Sequence, residues 1–330
     1  MKNWSGHILK ISKMKYRFLG RTGLEVSRLC FGALTIGPLQ ANLPLDQGAA
    51  VIKEALDAGV NFIDTAELYH TYGYIREALQ GFAGKEDVII ASKSYAYSRE
   101  AMRCSLEKAC HELGRDYVDI FLLHEQTSRL TLKGHQDALS YLAQAKKQGM
   151  VRAAGVSTHT VEVVRAAALY DEIDVIHPIL NMHGIGICDG TVQEMLEAIS
   201  FASSMGKGIY TMKALGGGHL SQHSQDALAW VLKQPAISAI AVGMQSGDEV
   251  ALNCALFTGQ PVNKCLLDKV TARRRRLLVE DWCQGCGKCA AKCPMGAITI
   301  DHNKAIPNMQ KCVLCGYCGA HCPEFCLKIV

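Results

Sequence analysis

The chain has 330 residues, 49% apolar and 20% charged, with a formal net charge of +4, which suits one large domain, or one large and one small, and excludes global disorder. So small a net charge argues against a nucleic-acid partner held by phosphate neutralisation. No apolar run approaches the ~18 residues of a membrane span and the N-terminus lacks the apolar core of a signal peptide, so a soluble cytoplasmic protein without a membrane partner is expected.

Residues 1–13 read as an N-terminal extension. Tyr16–Glu25, with Gly20 and Gly23 between apolar residues, reads as a β-hairpin able to close the floor of a barrel. Eight short apolar runs then recur: Arg28–Gly32, Val60–Asp64, Val88–Ser92, Val118–Leu123, Arg152–Val156, Val175–Leu180, Gly208–Met212 and Ile237–Val242. They do not alternate, which is how strands buried on both faces look. Segments of helical periodicity separate them, among them Gln47–Ala58, Ser98–Leu113, Gln136–Gln148, Thr160–Tyr170 and Thr191–Met205. Eight such β–α units predict an α/β fold, a (β/α)8 TIM barrel over residues 14–257. A doubly wound open sheet rarely needs eight units so regular. Residues 258–280 read as a linker, and Arg273–Arg276 within it as a solvated face or, less simply, a docking patch for an acidic partner.

Fifteen cysteines are present, six before residue 283 and nine in the last 48 residues. A reducing cytosol gives no reason to collect cysteines for disulfides, so the cluster points to metal ligation. Cys283, Cys286, Cys289 and Cys293 have the spacing C-x2-C-x2-C-x3-C-P, and Cys312, Cys315, Cys318 and Cys322 repeat it. In the bacterial ferredoxin pattern three close thiolates take one cubane and the fourth ligates the other cluster. Two [4Fe–4S] clusters are therefore expected, one on Cys283, Cys286, Cys289 and Cys322, the other on Cys312, Cys315, Cys318 and Cys293. Zinc ribbons use two C-x2-C pairs and fit less well. Cys326 and the six barrel cysteines read as spare or structural thiols. Residues 281–330 resemble a small α+β two-cluster ferredoxin domain, but with five Lys against three Asp plus Glu where such ferredoxins are usually acidic.

Three consecutive strands end in polar residues, on the face where a barrel keeps its active site: Asp64 with Tyr69 shortly after it, Lys93, and His124. Together they suit carbonyl reduction. An oxygen that becomes an alkoxide needs a proton donor, and a Tyr with pKa near ~10 is expected to be tuned downward by a nearby Lys held by an Asp. His would hold the carbonyl oxygen.

The barrel resembles the aldo/keto reductases, through FLGRTGLEVSRLCFGALTIG, NFIDTAELY, IIASK, LLHEQ, RAAGVSTH, MKALGGG and VGMQSGDEVALN. The resemblance implies Tyr69 as general acid, Lys93 and Asp64 as its tuning pair, and His124 as the substrate-orienting residue. It also implies a nicotinamide cofactor, NADP(H) or NAD(H), across the barrel mouth. Ser157 and Thr158 match the family's Ser-Asn pair for the carboxamide, with Thr158 replacing Asn. His177 stands where the family has Gln, and Asn181 where it has Asn. Lys213–Gly218 and Gly243–Asn253 match the phosphate and adenosine contacts, with Lys213, Gly243, Met244, Ser246, Glu249 and Asn253 as candidates. Residues 243–249 hold two acids and no Arg or Lys, so they give no support for a 2′-phosphate.

Hydride carries two electrons and a [4Fe–4S] cluster exchanges one, so a flavin would normally bridge them. No dedicated flavin motif is visible, and the Gly216–Gly218 run is the one feature able to approach such a phosphate. The leading expectation is an iron–sulfur aldo/keto reductase acting on an aldehyde or ketone, with its clusters exchanging electrons with a ferredoxin or flavoprotein, or stabilising the fold. The alternative is an electron-transfer protein whose barrel is a nucleotide-sensing or docking scaffold.

Overall fold

The computed structural model describes residues 14–272, 275–314 and 316–330. The expected N-terminal extension, Arg273 and Arg274 of the arginine run, and the ligand candidate Cys315 lie outside these residues.

The hairpin forms from β1 (Tyr16–Phe18) and β2 (Glu25–Ser27). Eight parallel strands come next: β3 (Leu29–Gly32), β4 (Phe62–Asp64), β5 (Ile89–Ser94), β6 (Val118–Gln126), β7 (Val151–Thr158), β8 (Val175–Pro178), β9 (Gly208–Thr211) and β10 (Ala239–Gly243). They close in chain order, β10 pairing back on β3. Each expected apolar run is therefore a barrel strand. The helices Arg99–Leu113, Val161–Ala167 and Val192–Ser204 start one residue after Ser98, Thr160 and Thr191, whose hydroxyls accept backbone N–H bonds as N-caps.

Two apolar layers hold the barrel. One lies between strands and helices; the other fills the interior with Cys30, Phe62, Ile120, Leu122, Val175 and Tyr210. The hairpin seals the floor of that interior, because its Leu19, Leu24 and Val26 are buried in the same cluster. Each such side chain contributes roughly 1.5–3 kcal/mol by leaving water. The opposite end stays polar.

The stretch expected as a linker contains the helix Lys264–Thr271 and a strand, β11 (Leu277–Val279). Beyond it come β12 (Ile298–Asp301), β13 (Lys304–Pro307) and β14 (Leu327–Ile329), with β12 pairing β13 and β11 pairing β14. Leu277, Ile298, Ala305, Leu327 and Ile329 make a small core with Cys289 and Cys318. This tail docks on the barrel's polar end: the Ile329 amide donates to the Gly217 carbonyl (2.9 Å), and His219 Nε2 donates to the Leu327 carbonyl (2.9 Å). Phe325 packs with Ile185, Leu220 and Ala227 of the barrel. Among the described residues no helix is long and apolar enough to cross a membrane.

Candidate active site

The four residues expected to act together do meet. Lys93, fully buried on β5, donates from Nζ to Asp64 Oδ2 at 2.8 Å and to the Thr65 carbonyl at 2.7 Å. Tyr69 sits on a short turn after β4, Glu67–Tyr69, which is pinned because the Glu67 carboxylate accepts from Ser94, Ser105 and Lys108. The Tyr69 hydroxyl lies 3.5 Å from His124 Nε2, at the end of β6.

One expectation is corrected. Lys93 faces the Tyr69 ring, with Nζ 4.9 Å from the ring centre. Burial, then the charges of Asp64 and Glu125, push the Tyr69 phenol above its ordinary value. Lys93 is held by Asp64 and Thr65, so the hydroxyl keeps its proton. Burial, then the Lys93 charge, lower His124 to about 3, and His124 is neutral at ordinary pH. Its Nδ1 is buried and unbonded among the described residues. Asp64 is held below the ordinary carboxylate value: burial would raise it, but the Lys93 charge and the hydrogen bonds from Lys93 and Tyr210 prevail.

Two residues of this site, Tyr210 and Tyr95, had no sequence motif. Tyr210, inward on β9, donates to Asp64 Oδ1 at 2.8 Å and stacks on His177 at 3.8 Å. Tyr95 stacks on His124 at 4.4 Å and donates to Glu125 Oε2 at 2.5 Å. Glu125 and Lys213 both have left-handed backbones, φ 47° and 59°, the kind of strain that collects at functional sites. Lys213 Nζ donates to His159 Nε2 at 2.8 Å and lies 3.9 Å from Glu125 Oε1. Burial would raise the Glu125 carboxyl, but Lys213 and His159 hold it at about 2. The period-two inward pattern of β9 and the adjacency of Glu125 to His124 were the available signals.

The cofactor candidates occupy the same mouth, and most are bonded within the chain. Ser157 Oγ accepts from the Glu125 amide (2.9 Å), and Thr158 Oγ1 donates to the Gln126 carbonyl (2.7 Å). His177 Nδ1 donates to the Tyr210 carbonyl (2.7 Å), which fixes its tautomer; burial first, then Lys93, lower its pKa to about 4. Asn181 donates to the Ile185 carbonyl and accepts from the Ile185 and His183 amides. Hydroxyl, imidazole and amide are the donors and acceptors a carboxamide needs, so the set fits a nicotinamide that exchanges partners with these bonds.

After β10, Gly243 packs on Thr35, whose Oγ1 donates to the Met244 carbonyl at 3.3 Å. Ser246 caps the helix Gly247–Thr258, Glu249 Oε2 accepts from the Gln245 amide, and Asn253 donates to the Glu249 carbonyl. The Glu54 carboxylate lies against Gly247, so two acids, Glu54 and Glu249, stand near that helix start. Arg275, from the arginine run, is half-buried, donating to Ser221 Oγ (3.2 Å) and lying 3.6 Å from Glu249 Oε1, whereas Arg276 is exposed.

The Gly216–Gly218 run is a second correction. A Cβ on Gly218 would stand 2.0 Å from the Ile329 carbonyl oxygen, and one on Gly217 would strike Phe325. The Gly216 and Gly218 amides are bonded within their own turn. These glycines make room for the tail, not for a phosphate.

In the tail, burial and the neighbouring thiols of Cys322, Cys283 and Cys286 raise the Cys289 thiol. That crowding of one motif's first three cysteines with the other motif's fourth fits a cubane, whose irons neutralise thiolates. Cys293, Cys312 and Cys318 line one hollow with Ala297, Leu314 and Ile329. Among the described residues no three ligating side chains converge tightly enough for a single metal ion; a cubane instead spreads its thiolates around four irons. The Ala297 amide donates to Cys293 Sγ (3.3 Å) and the Cys326 amide to Cys322 Sγ (3.2 Å), the same bond in each half.

Comparison with known proteins agrees with this division. Residues 28–227 match the aldo/keto reductase family, and residues 277–323 a 4Fe-4S dicluster domain. L-galactose dehydrogenase of Arabidopsis thaliana is 25% identical over 75% of this chain and 89% of its own length. A protein of Oryza sativa subsp. japonica described as a probable voltage-gated potassium channel subunit beta is 26% identical, over 63% of this chain and 68% of that one. An aldo-keto reductase from Bacillus halodurans, solved in its holo form, shares the fold with a TM-score of 0.63 at 19% identity, over 78% of this chain and 96% of that one.

Proposed function

Because the chain belongs to the aldo/keto reductase family and carries a 4Fe-4S dicluster domain, and so is an oxidoreductase, we propose that its barrel reduces an aldehyde or ketone with a nicotinamide as hydride donor. The observation that carries this reading is the Tyr69 hydroxyl beside His124 Nε2, above the Lys93–Asp64 pair. A carbonyl oxygen seated between Tyr69 and His124 accepts two hydrogen bonds as charge develops on it. Tyr69 then gives up its proton, which is favourable because an alkoxide is a stronger base than a phenolate. Lys93, fixed by Asp64 and Thr65, offsets the charge left on the phenol. When bound, the nicotinamide supplies the hydride, and Ser157, His177 and Asn181 are the residues that would hold it.

In the tail, Cys283, Cys286, Cys289 and Cys322 would hold one [4Fe–4S] cluster, and Cys293, Cys312, Cys315 and Cys318 the other. They exchange single electrons with a carrier protein of the ferredoxin or flavoprotein class. The experiment is aerobic and anaerobic oxidation of NADH and NADPH over a panel of aldehydes and ketones, with Tyr69→Phe as control. Turnover lost in the variant while nucleotide still binds supports the reading; equal turnover in both refutes it. A second reading, a barrel that senses nucleotide without turnover, is favoured by the internal bonding of Thr158, His177 and Asn181. It predicts binding of either nucleotide and oxidation of neither.

A further inference from the structure

Phe325 stands where its own repeat calls for glycine. The sequence Cys293-Pro-Met-Gly296-Ala297 of the first motif corresponds to Cys322-Pro-Glu-Phe325-Cys326 of the second. Gly296 has φ 55° and Phe325 has φ 48°. Left-handed backbone is open to glycine and costs another residue roughly 1–2 kcal/mol. The phenyl ring accepted at that cost is almost fully buried, and it is buried in the barrel: its ring carbons abut Gly186 and Gly217, and it meets the His159 ring edge-on at 5.9 Å.

On the tail side, the Phe325 amide donates to the carbonyl of the ligand candidate Cys322 at 3.2 Å. Lys328 Nζ stands 3.6 Å from the centre of the Phe325 ring and 5.9 Å from that of Trp282, the neighbour of Cys283. On the barrel side, His159 Nε2 is 3.8 Å from Glu125, which accepts from Tyr95, whose ring lies on His124. Packed or hydrogen-bonded steps of a few ångströms thus join the Cys322 end of the tail to the catalytic mouth.

We propose that Phe325 and His159 form an electron bridge, through which the cluster on Cys283, Cys286, Cys289 and Cys322 reduces an acceptor bound at the barrel mouth, independently of any nicotinamide. Electrons arriving singly suit an acceptor whose conjugation spreads the first one, and the exposed Tyr95 ring, stacked by its other face on His124, offers a flat one a surface to lie on; the class indicated is a quinone. Two reduced clusters give one electron each. The quinone takes these two electrons and two protons, one from the Tyr69 hydroxyl and one from water, and leaves as hydroquinone with both clusters oxidised. Water returns the proton to Tyr69, and a low-potential one-electron carrier re-reduces the clusters.

The test uses the full chain with intact clusters, freed of nucleotide, reduced anaerobically with dithionite and mixed rapidly with a 1,4-naphthoquinone. The return of visible cluster absorption is followed. The expected result is a rate that saturates with quinone and falls about tenfold in Phe325→Leu, with the electron paramagnetic resonance of the reduced clusters unchanged. Should Phe325→Leu lose its clusters, His159→Leu opens the same bridge from the barrel side and should show the same fall. A rate that stays linear in quinone and is equal in wild type and variants would mean direct collision with the clusters, and would overturn the proposal. The nicotinamide reading is untouched by either outcome, since no nucleotide is present.

Discussion

The Lys93 ammonium lies over the face of the Tyr69 ring, 4.9 Å from its centre, while bonding Asp64 at 2.8 Å. The two residues therefore act differently on removal. Tyr69→Phe should cost about 10²–10⁴-fold in carbonyl reduction, the usual contribution of a general acid, with the denaturation midpoint nearly unchanged. Lys93→Met leaves Asp64 buried without its cation, and should destabilise the fold by about 3–5 kcal/mol. Urea unfolding beside steady-state rates separates the two.

Acid should weaken the barrel before its carboxylates protonate. In the unfolded chain an imidazole takes its proton near pH 6.5, whereas His124 and His177 resist it down to about 3 and about 4. Between those limits the unfolded state binds more protons, so stability falls as pH drops from about 6.5 toward 4. His177→Gln should lose less stability across that window than wild type in urea titrations at pH 7 and pH 5. An equal loss would remove His177 from the account.

Two glycines with similar backbones should respond very differently to alanine. Gly149 has φ +79° and open space around it, while Gly218 has φ +91° and would place its Cβ 2.0 Å from the Ile329 carbonyl oxygen. Gly149→Ala should cost only the left-handed strain, about 1–2 kcal/mol. Gly218→Ala should also displace β14, which limited proteolysis of the tail would reveal.

Cys322→Ser should disturb the cluster assigned to Cys283, Cys286 and Cys289, and Cys293→Ser the other. Each change is expected to lower iron from about eight to about four per chain. The two variants should retain different resonance signals. Identical residual signals would mean that each motif closes its own cluster.

NADPH should bind no more tightly than NADH, because two carboxylates, Glu54 against Gly247 and Glu249 on the Gln245 amide, stand near the start of that helix. Fluorescence titration with both nucleotides decides this; a strong preference for NADPH would require a cation elsewhere, with Arg275 the first to test.

The eight strands were legible because runs such as Val118–Leu123 lack alternation, and the N-caps because Ser98, Thr160 and Thr191 each precede a periodic segment. The quartet of Asp64, Tyr69, Lys93 and His124 was legible from its position at strand ends, and the structure brings the four together. What could not be read was whatever depends on long-range packing. Tyr210 looked like one more residue of an apolar strand until Asp64 and His177 came against it. Lys93 was expected to act on the Tyr69 oxygen, and its direction was set by Thr65. Above all, Gly216–Gly218 reads the same whether it admits a phosphate or a neighbouring strand, and only the seat of Ile329 and Phe325 decides.

Exchange of the fourth cysteine, as proposed above, would also order the making of the molecule. The barrel and the first three ligands leave the ribosome well before Cys322 does, and domains generally fold as they emerge. On that assignment Cys283, Cys286 and Cys289 would hold a cluster incompletely until Cys322 arrives. Phe325 comes three residues after Cys322, so completing the ligand set and latching the tail to a finished barrel would become one late event, and a chain starved of iron would present a complete barrel with an unlatched tail.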